Sequence, residues 1–418
     1  MLLTGFDSKI DRNDRPSTQP WPILRGSTPR RRASADRADL KGHVLAQFLP
    51  TGAPKGGPKF TFAVPGFDRA VFDRTSVGRH IAEMRAIYEQ HPDEEMHPDV
   101  LRYWEDRGLR KQLYGAGTPG RYSVFTPLDL DPAYRYAVVY VSHGGMEPIN
   151  RAETNGFAEL AGSQHFICVY PWNGGPSNDD IEQEFPRIID ELTANGYPVD
   201  PTRIYAVGYS AGSDATGVLA CVYPDVIAAV SPNPGGNLFA KGRWYTDPAS
   251  YARNIEHRMP VICVAGTADG GDRYPLQESN HIANLNIWME HIAKASNWTP
   301  LTLERSEKIA RDGSDPTSRA FGFDFDRTFT EVLDGMEWGF GDLLGGGDEA
   351  VAARFVSGAG LPHEMSPVHA PLIWDFVRHF SRDRDTGASV YTPVVIDGRR
   401  STADAAHLML THEAVAPL

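Results

Sequence analysis

One ten-residue stretch constrains this chain more than any other: Arg203-Ile204-Tyr205-Ala206-Val207-Gly208-Tyr209-Ser210-Ala211-Gly212. Ile204, Tyr205 and Val207 favour a buried strand. Ala211 to Tyr223 is small and apolar enough for a packed helix. Between them stands Gly208-Tyr209-Ser210-Ala211-Gly212, a G-x-S-x-G pattern. Strand, sharp turn and helix give that pattern its mechanical meaning: the turn holds the Ser210 hydroxyl clear of the sheet on a strained backbone. Side chains at 208 and 212 would strike neighbouring backbone, which accounts for both glycines. The N–H of Ala211, at the helix start, would face a developing oxyanion.

The flanking chain repeats strand and helix patterns. Tyr122–Thr126, Arg135–Ser142, His165–Tyr170, Val226–Val230, Pro260–Ala265 and Arg354–Ser357 look like strands. Asp180–Leu192, Ile282–Ile292 and Leu372–Phe380 carry apolar residues at helical spacing, with Pro186 expected to kink or restart the first. The alternation predicts an α/β fold, with a mostly parallel sheet covered by helices on both faces. Expected boundaries are a poorly ordered basic tail over 1–58, an N-terminal extension over 59–120 that packs on the catalytic domain, that domain over 121–383 and a C-terminal tail over 384–418. The extension contains an expected strand at Lys59–Val64 and helices at Thr75–Gln90 and Asp93–Arg107, the latter opening at His97-Pro98.

At 418 residues the chain can bury a large core. Its formal charge of −13 argues against general nucleic-acid binding. Residues 1–60 hold 11 basic against 5 acidic residues, so the acidic balance lies beyond them. No apolar run reaches transmembrane length. Met1 to Asp7 lacks the order of a secretory signal, and Cys168, Cys221 and Cys263 fall in apolar patterns; both suit the cytoplasm. Neither a metal nor a cofactor is expected. The prolines of His91-Pro92-Asp93 and His97-Pro98-Asp99 suit turns, and Leu344–Asp348 lacks the Lys-Ser/Thr of a phosphate loop.

A serine needs a base, and the base needs an orienting acid. Asp269 follows the Pro260–Ala265 strand, where an α/β sheet carries its functional loops, with Asp272 as the competing acid. His363 follows the Arg354–Ser357 strand, with His369 as the competing base. The second oxyanion donor is expected from His143-Gly144-Gly145-Met146, through Gly145 or Met146. His143, Trp172, Tyr209 and Trp244 are candidates to line the substrate. The loop from Ser231 to Met259 could form a lid or pack as ordered core.

Taken together, these stretches resemble the polyhydroxybutyrate-depolymerase-type esterases, a group that includes feruloyl and acetylxylan esterases of the α/β-hydrolase fold. Val199-Asp200-Pro201-Thr202-Arg203-Ile204-Tyr205 leads into the elbow, and Leu219–Val230 is similar to the run that follows it. Gly266-Thr267-Ala268-Asp269 resembles the acid loop, with Trp288 in the helix beyond. Leu361-Pro362-His363, followed by Ile373-Trp374-Asp375-Phe376, resembles the base and closing helix. The resemblance spans roughly 121–383. It implies a serine ester hydrolase acting through an acyl-enzyme, with a small-molecule ester as partner. Ser-Ala-Gly-Ser stands where many relatives have Ser-Asn-Gly-Gly, 298–352 is long and acidic-aromatic, and family members are often secreted whereas no secretory signal is expected here; all three departures favour small soluble esters over polymer. The same triad would serve a peptidase or thioesterase, and the fold alone would serve a non-catalytic binding protein. Oligomeric state is not legible.

Overall fold

The computed structural model describes residues 96–392 apart from 119, 145–152, 173–180, 234–255, 270–278, 334, 347–349, 362 and 364–367. It also describes scattered positions between 74 and 90, and 395–396 and 399–400. The chain divides into two units, Met1–Thr61 and Phe62–Leu418, and every described residue belongs to the second. The expected 1–58 tail and Lys59–Val64 strand therefore lie outside the described residues.

The elements run α1 (Pro98–Glu105), β1 (Leu109–Tyr114), β2 (Tyr122–Pro127), β3 (Tyr136–Ser142), α2 (Phe157–Gln164), β4 (Ile167–Pro171), α3 (Ile181–Ala194), β5 (Val199–Tyr209) and α4 (Ala211–Val222). They continue with β6 (Ile227–Asn233), β7 (Val261–Gly266), α5 (Ser279–Ile287), a π-helical turn (Trp288–Ile292), α6 (Leu303–Asp312), α7 (Pro316–Phe321), β8 (Arg327–Leu333), β9 (Met336–Leu344) and β10 (Val351–Gly358). Last come α8 (His369–Val377), β11 (Phe380–Arg382), β12 (Ser389–Tyr391) and the short pair β13 (Val395–Ile396) and β14 (Arg399–Arg400).

Among the described residues ten strands form one sheet, in the order β1-β2-β4-β3-β5-β6-β7-β10-β9-β8. The block from β4 to β10 is parallel, while β1, β2, β9 and β8 add antiparallel margins. Side chains alternate across it. Ile204 and Ala206 face the core shared with α3, α4 and α5, whereas Tyr205 and Val207 face the core shared with α1, α2 and α8. A strand buried on both faces reads as an unbroken apolar run, as the central strands here do. This is the α/β-hydrolase arrangement, with its functional loops at the carboxyl ends of the parallel strands. Among the described residues no helix is long and apolar enough to cross a membrane.

Two local features depart from sequence expectation. Of the two outcomes expected at Pro186, the restart does not occur: α3 runs through it. The ring removes the N–H that would bond Glu182 O, and the Tyr223 hydroxyl donates to that carbonyl instead. The sheet also begins before residue 121. β1, inside the expected extension, is its first strand. Its sequence, Leu-Arg-Lys-Gln-Leu-Tyr, hides this because Lys111 is buried. The Lys111 ammonium donates to Glu153 at 2.7 Å, and both side chains are fully shielded from solvent.

Removing one partner of such a pair takes away the opposite charge held against the other in a dry interior. Lys111→Met should therefore destabilise the domain by about 3–5 kcal/mol, and Lys111→Met with Glu153→Leu should recover most of it. Chemical denaturation with both variants checks this. A single variant as stable as wild type would refute it.

Candidate active site

Ser210 follows β5 and precedes the first residue of α4 with φ 51° and ψ −114°. That left-handed backbone costs a residue with a Cβ about 1–3 kcal/mol and persists only where the surroundings enforce it. The enforcement is visible. Ser210 N–H donates to Asn233 O at 2.7 Å, and Ser210 O accepts from Ser213 N–H at 2.9 Å and Ser213 Oγ at 2.7 Å. A Cβ on Gly208 would come within 1.9 Å of Gly212 O, and one on Gly212 within 2.3 Å of Ser142 O. The turn can close only with glycine at both positions, as the motif predicts. Ala211 opens α4, so its N–H belongs to the unpaired first turn of a helix.

Two strands away, the loops after β7 and β10 are bonded to each other. Thr267 N–H donates to Gly358 O at 3.0 Å, Ala268 N–H to Leu361 O at 3.1 Å, and Gly360 N–H to Thr267 Oγ1 at 2.8 Å. This lacing brings Asp269 Oδ1 to 2.7 Å from His363 Nδ1. The Asp269 side chain is 3% exposed and that of His363 is 22% exposed. The carboxylate is dry, and the imidazole stays within reach of a substrate. His369 lies elsewhere: it starts α8, fully buried, with its ring edge-on to Trp338 at 6.1 Å. Asp272 lies outside the described residues.

The remaining candidates divide. His143 is buried, and its Nδ1 lies 2.6 Å from Gly144 O while its Nε2 contacts Trp172 O. Both ring nitrogens meet backbone carbonyls, so the ring braces the end of β3 against the end of β4. Trp172 is half-buried with the Arg121 guanidinium 3.2 Å above its ring. Tyr209 turns toward His363. Gly145, Met146 and Trp244, and most of the Ser231–Met259 loop, lie outside the described residues.

Sequence reasoning missed Asn233. It is fully buried at the end of β6, which pairs with β7 at Val230 and Val261. Beyond that point its Oδ1 accepts from Val264 N–H at 2.7 Å, and its Nδ2 donates to Ser231 O at 2.8 Å and Ser231 Oγ at 2.7 Å. The side-chain amide thus continues the ladder where β6 and β7 no longer pair. Its backbone holds Ser210, so one residue ties the serine's strand to the acid's strand. The available signal was Pro232 just before it, a residue that cannot donate to a ladder. Among the described residues no group of three or more His, Cys, Asp or Glu is placed to hold a metal.

With this geometry in hand, sequence comparison finds partial relatives. Over 142 residues the chain is 30% identical to poly(3-hydroxyalkanoate) depolymerase C of Paucimonas lemoignei, covering 30% of this chain and 34% of that protein. Over 166 residues it is 30% identical to a bifunctional acetylxylan esterase/xylanase of Neocallimastix patriciarum, covering 38% of this chain and 22% of that protein. The chain thus spans about a third or less of the length of these relatives. Among solved structures, an acetyl xylan esterase from Aspergillus awamori is similar at 14% identity and a TM-score of 0.40, over 64% of this chain and 98% of that one. No protein-family model matches the chain.

Proposed function

We propose that this protein is a serine-dependent hydrolase of carboxylic esters that works through an acyl-enzyme. One observation carries the reading: a serine held at positive φ on an elbow, in a sheet whose next functional loops pair a buried aspartate with a histidine. Backbone strain of this kind gathers where a turn has a functional task, and a dry carboxylate at Nδ1 is what a histidine base requires. The names borne by the partial relatives support ester chemistry.

Asp269 holds Nδ1 of His363, so proton exchange with Ser210 falls to Nε2. Ser210 Oγ attacks the ester carbonyl as its proton passes to Nε2. The tetrahedral oxyanion is met by the Ala211 N–H and by a donor from the Gly145-Met146 loop. Collapse expels the alcohol, which takes the proton back from Nε2. Water then repeats the sequence on the acyl-enzyme and releases the acid. The expected substrates are small soluble esters, such as acylated sugars, phenolic esters or hydroxyacid esters. Cys168, Cys221 and Cys263 are not joined in disulfides, which suits a reducing compartment, and we place the protein in the cytoplasm.

A fluorophosphonate probe followed by peptide mapping tests the nucleophile, and a panel of p-nitrophenyl, feruloyl, acetyl-sugar, thioester and peptide substrates tests the class. The expected result is a single adduct on Ser210, with ester turnover ahead of the rest. An adduct elsewhere, or peptides turned over faster than esters, would reject the proposal.

A further inference from the structure

Tyr209 stands immediately before Ser210, and position alone makes it a candidate to line the substrate. Its contacts indicate another task. The phenol ring lies against the His363 imidazole, with centroids 4.9 Å apart and planes 29° apart. Its hydroxyl donates to the backbone carbonyl of His363 at 2.7 Å. One residue of the elbow therefore grips both the ring and the main chain of a residue 154 positions further on.

We infer that Tyr209 is a positioning residue that fixes the base relative to the nucleophile; this rests on the reading of Ser210, His363 and Asp269 given above. The hydrogen bond to Asp269 sets the tautomer and anchors one edge of the ring at Nδ1. The flat aromatic face of Tyr209 backs the plane of the ring, which the Nδ1 bond at its edge does not do. The bond to the His363 carbonyl fixes the main chain from which the ring hangs. Because Tyr209 and Ser210 are adjacent on one strained turn, the clamp ties the base to the same backbone that aims the nucleophile. The same face suits the charged state: an imidazolium beside a phenol ring is attracted by the negative face of the π-system. Holding the reacting groups in register matters because a misplacement of about 1 Å can cost roughly 100-fold in rate.

The two contacts can be separated. Tyr209→Phe keeps the ring and removes the hydroxyl, whereas Tyr209→Leu removes both. Steady-state kinetics on a p-nitrophenyl ester, with Ser210→Ala and His363→Ala in the same assay, is the test. The expected result for Tyr209→Leu is a kcat lower by about 100-fold with KM changed by less than about threefold. Tyr209→Phe should restore most of this, standing about three- to tenfold below wild type. A raised KM at unchanged kcat would mean that Tyr209 lines the substrate, and would overturn the inference. So would wild-type kcat in both variants while Ser210→Ala and His363→Ala are inactive. Full turnover in Ser210→Ala or His363→Ala would remove the catalytic reading itself, and the clamp with it. If circular dichroism shows that the leucine variant does not fold, the phenylalanine variant decides: reduced kcat at unchanged KM supports the clamp, and unchanged kcat overturns it.

Discussion

Ser210→Ala is expected to lower kcat for ester hydrolysis on the order of a millionfold while leaving the fold intact, because members of a nucleophile–base pair act as a unit. The fold should survive because alanine meets the same backbone demand as serine at φ 51° and removes only a hydroxyl. Ser210→Gly provides a second, opposite readout. It should be equally inactive, yet it relieves a left-handed conformation that glycine adopts freely, so it should melt higher than Ser210→Ala. The difference should be about 1–3 kcal/mol, offset in part by the greater freedom of glycine in the unfolded chain. The pair of variants separates the two things the elbow does. Activity follows the hydroxyl, and stability follows the strain. If Ser210→Ala keeps more than about a tenth of wild-type kcat, which is only 1.4 kcal/mol of barrier, the nucleophile is another group. If Ser210→Gly melts below Ser210→Ala, the elbow stores no strain.

The elbow was legible in the sequence because its causes are local. Two glycines, a serine and flanking strand and helix patterns lie within a few residues of one another, and the clashes that require Gly208 and Gly212 arise from that same turn and the strand beside it. The pairing of Asp269 with His363 was legible for a different reason. Parallel α/β sheets put their functional loops at strand ends, so position restricted a chain with 14 histidines to very few candidates. What stayed hidden depends on distant partners. β1 contains a lysine that becomes a core residue only when Glu153 arrives to meet it. β9 contains Gly339, Gly341 and Asp342, all poor strand formers. It holds because Arg354 of β10 donates to both Asp342 oxygens, at 2.7 and 2.9 Å. The stretch 298–352 therefore reads as an acidic-aromatic insertion but extends the sheet by two antiparallel strands. The Asn233 ladder and the Tyr209 clamp are hidden in the same way. Neither residue type at its position announces a partner 31 or 154 residues further along.

The acid offers the second large effect, and the geometry makes its direction definite. Asp269 Oδ1 accepts from His363 Nδ1 at 2.7 Å, and its side chain is almost wholly removed from water. In the proposed mechanism a carboxylate there does two things: it holds the proton on Nδ1, and its charge stabilises the imidazolium that forms when Ser210 is deprotonated. Asp269→Asn keeps the size and changes both. An amide can present its N–H₂ toward the ring, which leaves Nδ1 as the acceptor and puts the proton on Nε2, the atom that must take the proton from Ser210. The variant should therefore fold normally and lose roughly 10³–10⁴ in kcat. Weakened substrate binding is not expected, since Asp269 sits behind the histidine, so KM should change little. His369→Ala supplies the contrast. That histidine is buried against Trp338 at the start of α8, so truncating it should cost stability through lost packing but leave kcat of the folded fraction near wild type. Kinetics normalised to active sites titrated with the phosphonate probe would distinguish the two outcomes. A large loss of kcat per titrated site in His369→Ala, together with a small one in Asp269→Asn, would move the base and acid away from the loops laced together after β7 and β10.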